Sequence, residues 1–244
     1  MKTIGLIPAR MGSSRFPGKP LKMIKGKEML LRVYENAKNA NLIDELYIAT
    51  CDQEINKRMT ELGCKVIMTG SHHERCTSRC AEALKKIEKN LNYEFENIVM
   101  IQGDEPLVQG REIDQAIKLI LEDNNIQIAN LIGKVESYEE FKDRNTIKVA
   151  ISKNDEVIYM SRGEVPFSIE SNFKFAYKQV CIIPMKKMVL QLFDQYKETY
   201  LEKIESIDML RLIENRIAIK TKLIDYKTQA VDVISDIEKV ERLL

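Results

Sequence analysis

Hydrophobic positions follow two different periods along the first hundred residues. Short apolar runs typical of buried strands lie at residues 3–9, 46–50, 65–68 and 98–102. Between them, apolar residues recur every three or four positions, as in the set Met29, Leu30, Val33, Tyr34 and Ala37 and in the segments 54–62 and 81–87. This alternation of strand and helix predicts an α/β fold with a mostly parallel central sheet and helices on both faces.

The second half of the chain is less regular. Strands are predicted at 147–151, 157–160, 177–183 and 216–221, with helices starting near Lys187, Ile204 and Ser235. This pattern indicates a small antiparallel excursion followed by a return to the central sheet. No repeat, low-complexity tract or Pro/Gly/Ser-rich linker interrupts the chain, so we expect a single domain over residues 1–244.

The predicted sheet also indicates where ligands bind. In open parallel sheets, ligands lie beyond the carboxyl ends of the strands. The loops that follow Ala9, Thr50, Met68 and Gln102 are therefore the expected functional loops.

Composition narrows the class of partner. With 38 basic and 37 acidic residues the net charge is +1, so no global field favours nucleic acid or a membrane, and we expect neither as a partner. The apolar run near the start is too short for a signal peptide, and no later stretch is long enough to span a bilayer. The five cysteines are odd in number and widely spread, which is unlike a disulfide framework. These features predict a cytoplasmic protein with reduced thiols.

The loop after the first predicted strand carries three cations and two glycines. Amides exposed near Gly12 and Ser13 can cradle phosphate oxygens, and Arg10, Arg15 and Lys19 can neutralise a triphosphate. The loop is not a Walker A motif, because five residues separate its glycines and a proline follows the lysine. G-x-G-x-x-G is absent as well. A basic surface loop shaped by proline and glycine is the alternative.

Several motifs along nearly the whole chain carry a family resemblance. They are Ile7-Pro8-Ala9-Arg10, the run from Ser13 to Lys19 followed by Pro20-Leu21, Gln102-Gly103-Asp104-Glu105-Pro106, Asn145 with Ile147-Lys148-Val149, Tyr159 with Ser161-Arg162 and Pro166, Leu210-Arg211 with Glu214-Asn215, and Val231-Asp232. Together they resemble the 3-deoxy-manno-octulosonate (Kdo) cytidylyltransferases. The resemblance implies a nucleotide-diphospho-sugar transferase fold, a homodimer and a magnesium cofactor. It also implies transfer of CMP from CTP to an acidic sugar for lipopolysaccharide biosynthesis.

The loop chemistry and the resemblance together define a candidate site. The catalytic candidates are Arg10, Lys19 and Asp104. The candidate nucleotide-binding residues are Pro8, Ala9, Arg10, Gly12, Ser13, Arg15, Lys19, Thr77, Arg79 and Gln102. The candidate sugar-binding residues are Gln102, Arg162, Gln179, Ile183, Asp208 and Met209.

Two carboxylates are candidate magnesium ligands. Asp104 follows the fourth strand of the predicted sheet, where a carboxylate beside a triphosphate needs a cation, and magnesium prefers hard oxygen ligands. Asp232 matches the second metal-binding aspartate of the family. The structural alternatives are a turn residue before Pro106 for Asp104 and a helix cap for Asp232.

The chain departs from the family at both ends of the expected site. Arg75 and Cys76 stand where the family has serine and glycine, so cytosine specificity is less secure than triphosphate binding. Gln179, Ile183, Asp208 and Met209 stand where the family typically has His, Tyr, Glu and Gln, which favours a modified or different acceptor sugar.

These departures leave two alternatives open. One is a cytidylyltransferase for another ulosonic acid, or one that uses a different nucleotide. The other is a non-catalytic nucleotide-binding homologue, against which the retention of Arg10, Lys19, Asp104 and Asp232 argues.

His72, His73, Cys76 and Cys80 form a cluster of zinc-ligand residue types. Their spacing matches no common zinc motif. Ordinary loop and helix packing, substrate contact and zinc binding are the three interpretations.

Overall fold

The computed structural model describes residues 1–12, 15–169, 173–225 and 228–244. Its strands are β1 Thr3–Ala9, β2 Met23–Ile24, β3 Lys27–Glu28, β4 Glu45–Thr50, β5 Val66–Met68, β6 Asn97–Ile101, β7 Ala129–Lys134, β8 Lys148–Ile151, β9 Val157–Ser161, β10 Tyr177–Val180, β11 Ile182–Lys186 and β12 Lys220–Leu223. Its helices are α1 Met29–Lys38, α2 Gln53–Glu61, α3 Cys76–Leu91, α4 Gly110–Glu122, α5 Tyr138–Lys142, α6 Lys187–Gln195, α7 Tyr200–Glu205, α8 Met209–Glu214 and α9 Asp236–Leu243. A short 3-10 helix spans Lys19–Leu21.

The first sheet has the strand order β11-β6-β1-β4-β5 and is parallel except at its β11 edge. All seven residues of β1 are buried, because helices cover both faces of the sheet. Ile4 and Leu6 pack in the core cluster that contains α3 and α6. Ile7 points to the opposite face and packs in the cluster that contains α1 and α4. The predicted fold class is confirmed.

The second sheet has the order β12-β7-β10-β8-β9 and is antiparallel except for the β12–β7 pair. The strand predicted at 177–183 is divided at Cys181 into β10, which belongs to the second sheet, and β11, which returns to the first. The strand predicted at 216–221 begins at Lys220 and pairs with β7. The predicted return to the central sheet is made by β11, whereas β12 stays in the second sheet.

Several elements differ from the sequence-based expectations. Helix α4, strand β7 and helix α5 were not predicted, although Ile113, Ile117 and Ile120 on α4 show the helical period and are fully buried. The helix expected from Ile204 is two helices, α7 and α8, because Ser206 takes a left-handed conformation (φ 54°) that ends α7.

No helix among the described residues is both long enough and apolar enough to cross a membrane.

A buried ion pair fixes helices α6, α7 and α8 relative to one another. Arg211 on α8 donates two hydrogen bonds of 2.7 Å to Glu202 on α7, and Glu202 is fully buried. The same guanidinium donates to the carbonyls of Phe193 and Tyr196 and lies 4.0 Å from the centre of the Phe193 ring. One side chain therefore holds α6, α7 and α8 together.

We expect Arg211→Met to lower the free energy of unfolding by about 3–5 kcal/mol, because it leaves the buried Glu202 carboxylate with only the longer ion pair of 3.4 Å to Arg75. The matched control is Arg242→Met, which removes an exposed ion pair of 3.6 Å with Glu238 and should cost at most about 1 kcal/mol. Urea denaturation of both variants measures the difference. Equal effects would contradict the structural role of Arg211.

Candidate active site

A cleft of about 370 Å³ lies beyond the carboxyl ends of β1 and β6 and is bounded on its other side by residues of the second sheet. The loops after β1, β5 and β6 contribute to its wall, as the sequence predicted. The loop after β4 does not. Its residue Asp52 instead accepts a hydrogen bond of 2.8 Å from the amide of Met11, and so supports the loop after β1 from behind.

The structure brings most of the predicted site residues to this cleft. The wall includes Pro8, Ala9, Arg10, Arg15, Lys19, Arg79, Gln102, Asp104, Arg162, Gln179, Ile183, Asp208, Met209 and Asp232. Gly12 is exposed and does not line the cleft, and Thr77 is buried behind the wall. Ser13 lies outside the described residues. The chemical roles of these residues remain predictions.

Lys19 lies at the centre of the charged side of the cleft. Gly18, with φ 72°, precedes the short helix that begins at Lys19, and glycine adopts this left-handed conformation without strain. The Lys19 ammonium donates hydrogen bonds of 2.7 Å to Asp104 Oδ2 and to the carbonyl of Val231. It is also 4.0 Å from Asp232 Oδ1. Burial opposes its charge, but the charge of Asp104 and the hydrogen bond to it outweigh burial and raise the pKa of Lys19.

The two predicted metal ligands lie near each other on either side of Lys19. Burial and the charge of Asp104 raise the pKa of Asp232, against the opposing effects of Lys19 and Arg15. The helix-capping alternative for Asp232 is wrong, because the N-cap residue of α9 is Ser235 and the Asp232 carboxylate pairs with Arg15. The Asp104 carboxylate accepts its hydrogen bond from the Lys19 ammonium. Two carboxylates beside a basic loop offer only hard oxygen donors, which fit magnesium.

Two arginines extend the positive charge around these carboxylates. Arg15 pairs with Asp232 at 2.8 Å and also donates a hydrogen bond to Asn145. Arg10 is exposed at the cleft and makes no hydrogen bond or ion pair with any part of the chain that the structure describes. Its guanidinium is therefore available to an anionic ligand.

Helix α3 begins at the cleft after the loop that follows β5. Arg79, predicted to bind nucleotide, is buried and donates to Thr69 Oγ1 at 2.6 Å and to the carbonyls of Gly70 and His73. Its guanidinium therefore shapes the loop. Thr77 donates from its hydroxyl and its amide to Asp208 Oδ2 at 2.8 and 3.0 Å. This contact joins the start of α3 to the start of α8.

The two departures in this loop have specific partners. The Cys76 thiol donates to Gln102 Oε1 at 3.5 Å and so orients a predicted ligand contact. Arg75 donates to Glu198 and to Ser206 Oγ, both at 2.8 Å. The Arg75 charge is therefore balanced by Glu198 and, at 3.4 Å, by Glu202.

On the predicted sugar side of the cleft, the polar side chains are hydrogen-bonded within the chain and the apolar ones are buried. Arg162 donates to the carbonyls of Glu205, Arg144 and Ser206 at 2.7, 3.0 and 3.2 Å. The Gln179 amide donates to Asn130 Oδ1 at 2.6 Å. Ile183 and Met209 are each 1% exposed, so they present little surface to a ligand.

Some cleft residues were not predicted from the sequence. The buried Glu105 accepts a hydrogen bond of 2.9 Å from Thr228, and burial together with Asp104 raises the pKa of Glu105 to about 7. Lys178 pairs with Glu140 at 2.5 Å and donates to the Thr228 carbonyl. No spacing signal links Lys178, Glu140 and Thr228, because they come from three distant segments.

The proposed zinc cluster of two histidines and two cysteines does not form. Cys80 is fully buried on α3, and Cys76 faces Gln102. Within the described ranges, the His, Cys, Asp and Glu side chains that converge in a group of three or more are His72, His73 and Glu82.

Comparisons with known proteins give a consistent picture. The profile of a family described as Cytidylyltransferase matches residues 4–224. Relatives named 3-deoxy-manno-octulosonate cytidylyltransferase are 39% identical in Thermodesulfovibrio yellowstonii, over 100% of this chain and 98% of the relative, and 37% identical in Fusobacterium nucleatum, over 98% and 96%. A solved structure of CMP:2-keto-3-deoxy-manno-octonic acid synthetase complexed with CTP is 33% identical, with a TM-score of 0.88 over 100% of this chain and 98% of that one.

We expect Asp232→Asn to raise the melting temperature in the presence of a chelator. A carboxyl whose pKa is raised in the folded state costs stability above that pKa, and the cost disappears as the pH falls through it towards the ordinary value of 3.8. The gain should therefore be present at about pH 8 and shrink in acid, with about 2–4 °C for each kcal/mol.

The control is Asp225→Asn, which changes an exposed carboxyl. Differential scanning calorimetry across pH measures both variants. A lower melting temperature for Asp232→Asn at about pH 8 would show that its ion pair with Arg15 outweighs the repulsion from Asp104.

Proposed function

The chain belongs to the 3-deoxy-manno-octulosonate (Kdo) cytidylyltransferase family, and from this premise we propose that it is a magnesium-dependent enzyme that transfers CMP from CTP to Kdo and releases pyrophosphate. The observation that carries the proposal is the charged cluster of Lys19, Asp104 and Asp232 at the carboxyl ends of the parallel strands. Relatives named for Kdo match the whole chain, so another ulosonic acid or another nucleotide is not favoured. The burial of Ile183 and Met209 explains why these two substitutions need not exclude Kdo.

The cations of the first loop suit a triphosphate. Arg10 has no competing partner in the described part of the chain, and Arg15 and Lys19 lie beside it on the cleft wall. Nucleotidyl transfer depends mainly on positioning and on stabilising charge that develops on the leaving group. In the reaction, a sugar hydroxyl oxygen forms a bond to the α-phosphorus of CTP, and the bond from that phosphorus to the pyrophosphate oxygen breaks. We assign the neutralisation of the leaving pyrophosphate to Arg10, Arg15 and Lys19.

Asp104 and Asp232 would hold the magnesium ion. When bound, the ion would supply positive charge to the phosphate oxygens and make the attacking hydroxyl more acidic. Lys19, which hydrogen-bonds to Asp104 and the Val231 carbonyl, keeps the two carboxylate-bearing segments side by side. Its position beside both carboxylates supports a role in orienting the anionic substrate.

The loop after β5 and Gln102 would form the nucleotide side of the site. Gln102 accepts a hydrogen bond from the Cys76 thiol, which fixes the Gln102 side chain at the cleft wall. Asp208, through Thr77, holds α3 in place under this wall. The opposite wall, with Arg162 and Gln179, would receive the acidic sugar.

We also propose a homodimer. Phe167 and Ile169 are 85% and 93% exposed, and large apolar side chains this exposed are typical of an interaction surface. A cytoplasmic location remains a prediction.

We expect Lys19→Ala to lower turnover at least about tenfold, the equivalent of losing one charge-assisted contact of roughly 1.4 kcal/mol. The control is Lys22→Ala, an exposed lysine three residues away that does not line the cleft. Pyrophosphate release from CTP and Kdo measures both. Wild-type turnover in Lys19→Ala would overturn the assignment of the first loop.

We expect Asp104→Asn to remain folded but to lose magnesium-dependent pyrophosphate release, because it keeps the shape of the side chain and removes the charge that holds the ion. Rates measured across a magnesium titration, with circular dichroism as the folding check, test this. Full activity at limiting magnesium would refute the metal role, and a large loss of thermal stability would favour a structural role for Asp104.

A further inference from the structure

His72, His73 and Glu82 form a side-chain cluster that the proposed reaction does not use. Their ligand atoms all lie within 4.8 Å of one another. The two imidazole rings are 4.1 Å apart between centroids, and His73 Nε2 is in direct hydrogen-bond contact with Glu82 Oε2. The histidines lie in the loop after β5, and Glu82 lies nearly two turns into α3, so the fold rather than sequence spacing brings them together.

The partners of these side chains orient them as a metal site requires. His73 Nδ1 is 3.1 Å from Ser78 Oγ, which leaves Nε2 directed at Glu82. A second hydrogen bond of this kind is the usual support of a metal-binding imidazole. Glu82 is itself held by Lys86 at 2.7 Å and by the Gly70 amide at 3.0 Å.

The burial of the cluster suits an open coordination site. The side chain of His73 is 9% exposed and that of Glu82 is 23% exposed, whereas His72 is at the surface. Zinc–nitrogen bonds of about 2.0–2.1 Å and zinc–oxygen bonds of about 2.0–2.2 Å put two tetrahedral ligand atoms roughly 3.4 Å apart. The three ligand atoms already lie within 4.8 Å of one another, so a bound ion would draw them closer and replace the hydrogen bond between His73 and Glu82.

We propose that His72, His73 and Glu82 bind a divalent transition-metal ion, with Zn²⁺ as the best fit. Two imidazole nitrogens and one carboxylate oxygen select zinc, cobalt or nickel over magnesium, which prefers oxygen ligands. The site thus differs in ligand chemistry from the pair Asp104 and Asp232. Water would complete the coordination on the exposed side of His72.

An ion at this position would stiffen the loop after β5. The carbonyls of His73 and Gly70 accept hydrogen bonds from the buried Arg79, and the same loop carries Arg75 and Cys76 to the cleft wall. Metal binding there therefore connects to the wall that faces the nucleotide, without contributing a group to the reaction.

The test is isothermal titration of the chelator-stripped full chain with Zn²⁺ in excess Mg²⁺, which saturates the carboxylate pair. Wild type should bind one tight equivalent. His72→Ala, which alters only an exposed side chain, should weaken binding at least about tenfold, and Glu82→Gln should do the same. The matched control is Glu74→Gln, which removes a carboxylate from the same loop outside the three-residue cluster, and should bind like wild type.

The visible spectrum of the Co²⁺-loaded chain provides an independent readout. Nitrogen and oxygen ligands give ligand-field bands without thiolate charge transfer, and His72→Ala should change these bands. The proposal fails if wild type binds no tight equivalent, if His72→Ala binds like wild type, or if thiolate charge-transfer bands appear and disappear in Cys76→Ser. The last outcome would assign the ion to the cysteines.

Discussion

The contact of Lys19 with Asp104 and the Val231 carbonyl is the constraint on which the cleft depends. It joins the loop after β1, the loop after β6 and the segment that leads into α9 through one ammonium group. Without Lys19, Arg15 alone would balance the charges of Asp104 and Asp232 in a partly buried site. The same contact brings cations and carboxylates together at the cleft, which is the arrangement on which the proposed nucleotidyl transfer rests.

The two sheets meet at this cleft because the chain crosses between them at Cys181. β10 pairs within the second sheet and β11 runs antiparallel to β6 of the first. The crossing places Gln179 and Ile183 on opposite sides of one short break, with both on the cleft wall. The predicted sugar side of the cleft therefore lies at a junction of two sheets, whereas the predicted phosphate side lies on a loop.

The loop after β5 shows how substitutions can be accommodated around a retained site. Arg75 donates hydrogen bonds to Glu198 and Ser206, and the Cys76 thiol donates one to Gln102. His73 and Glu82 then tie the outer side of the same loop to α3. The loop is thus held from both sides by interactions that do not involve the carboxylates of Asp104 and Asp232.

The sequence by itself determined the parallel core and the position of the basic loop at its carboxyl edge. The β1 strand was predicted at Thr3–Ala9 because its signal, an apolar run followed by a basic, glycine-containing loop, lies within a few neighbouring residues. The period of the hydrophobic residues is also a local signal. The motifs around Arg10, Lys19 and Asp104 carried the family resemblance for the same reason.

Only the tertiary structure decided what depends on long-range pairing. It divided residues 177–183 between two sheets, kept β12 in the second sheet, and replaced the cysteines by Glu82 in the histidine cluster. It also brought Lys178, Glu140 and Thr228 together beside Glu105. These contacts join segments that are far apart in sequence. Strand pairing and burial decide which segments meet, and no local sequence pattern encodes either of them.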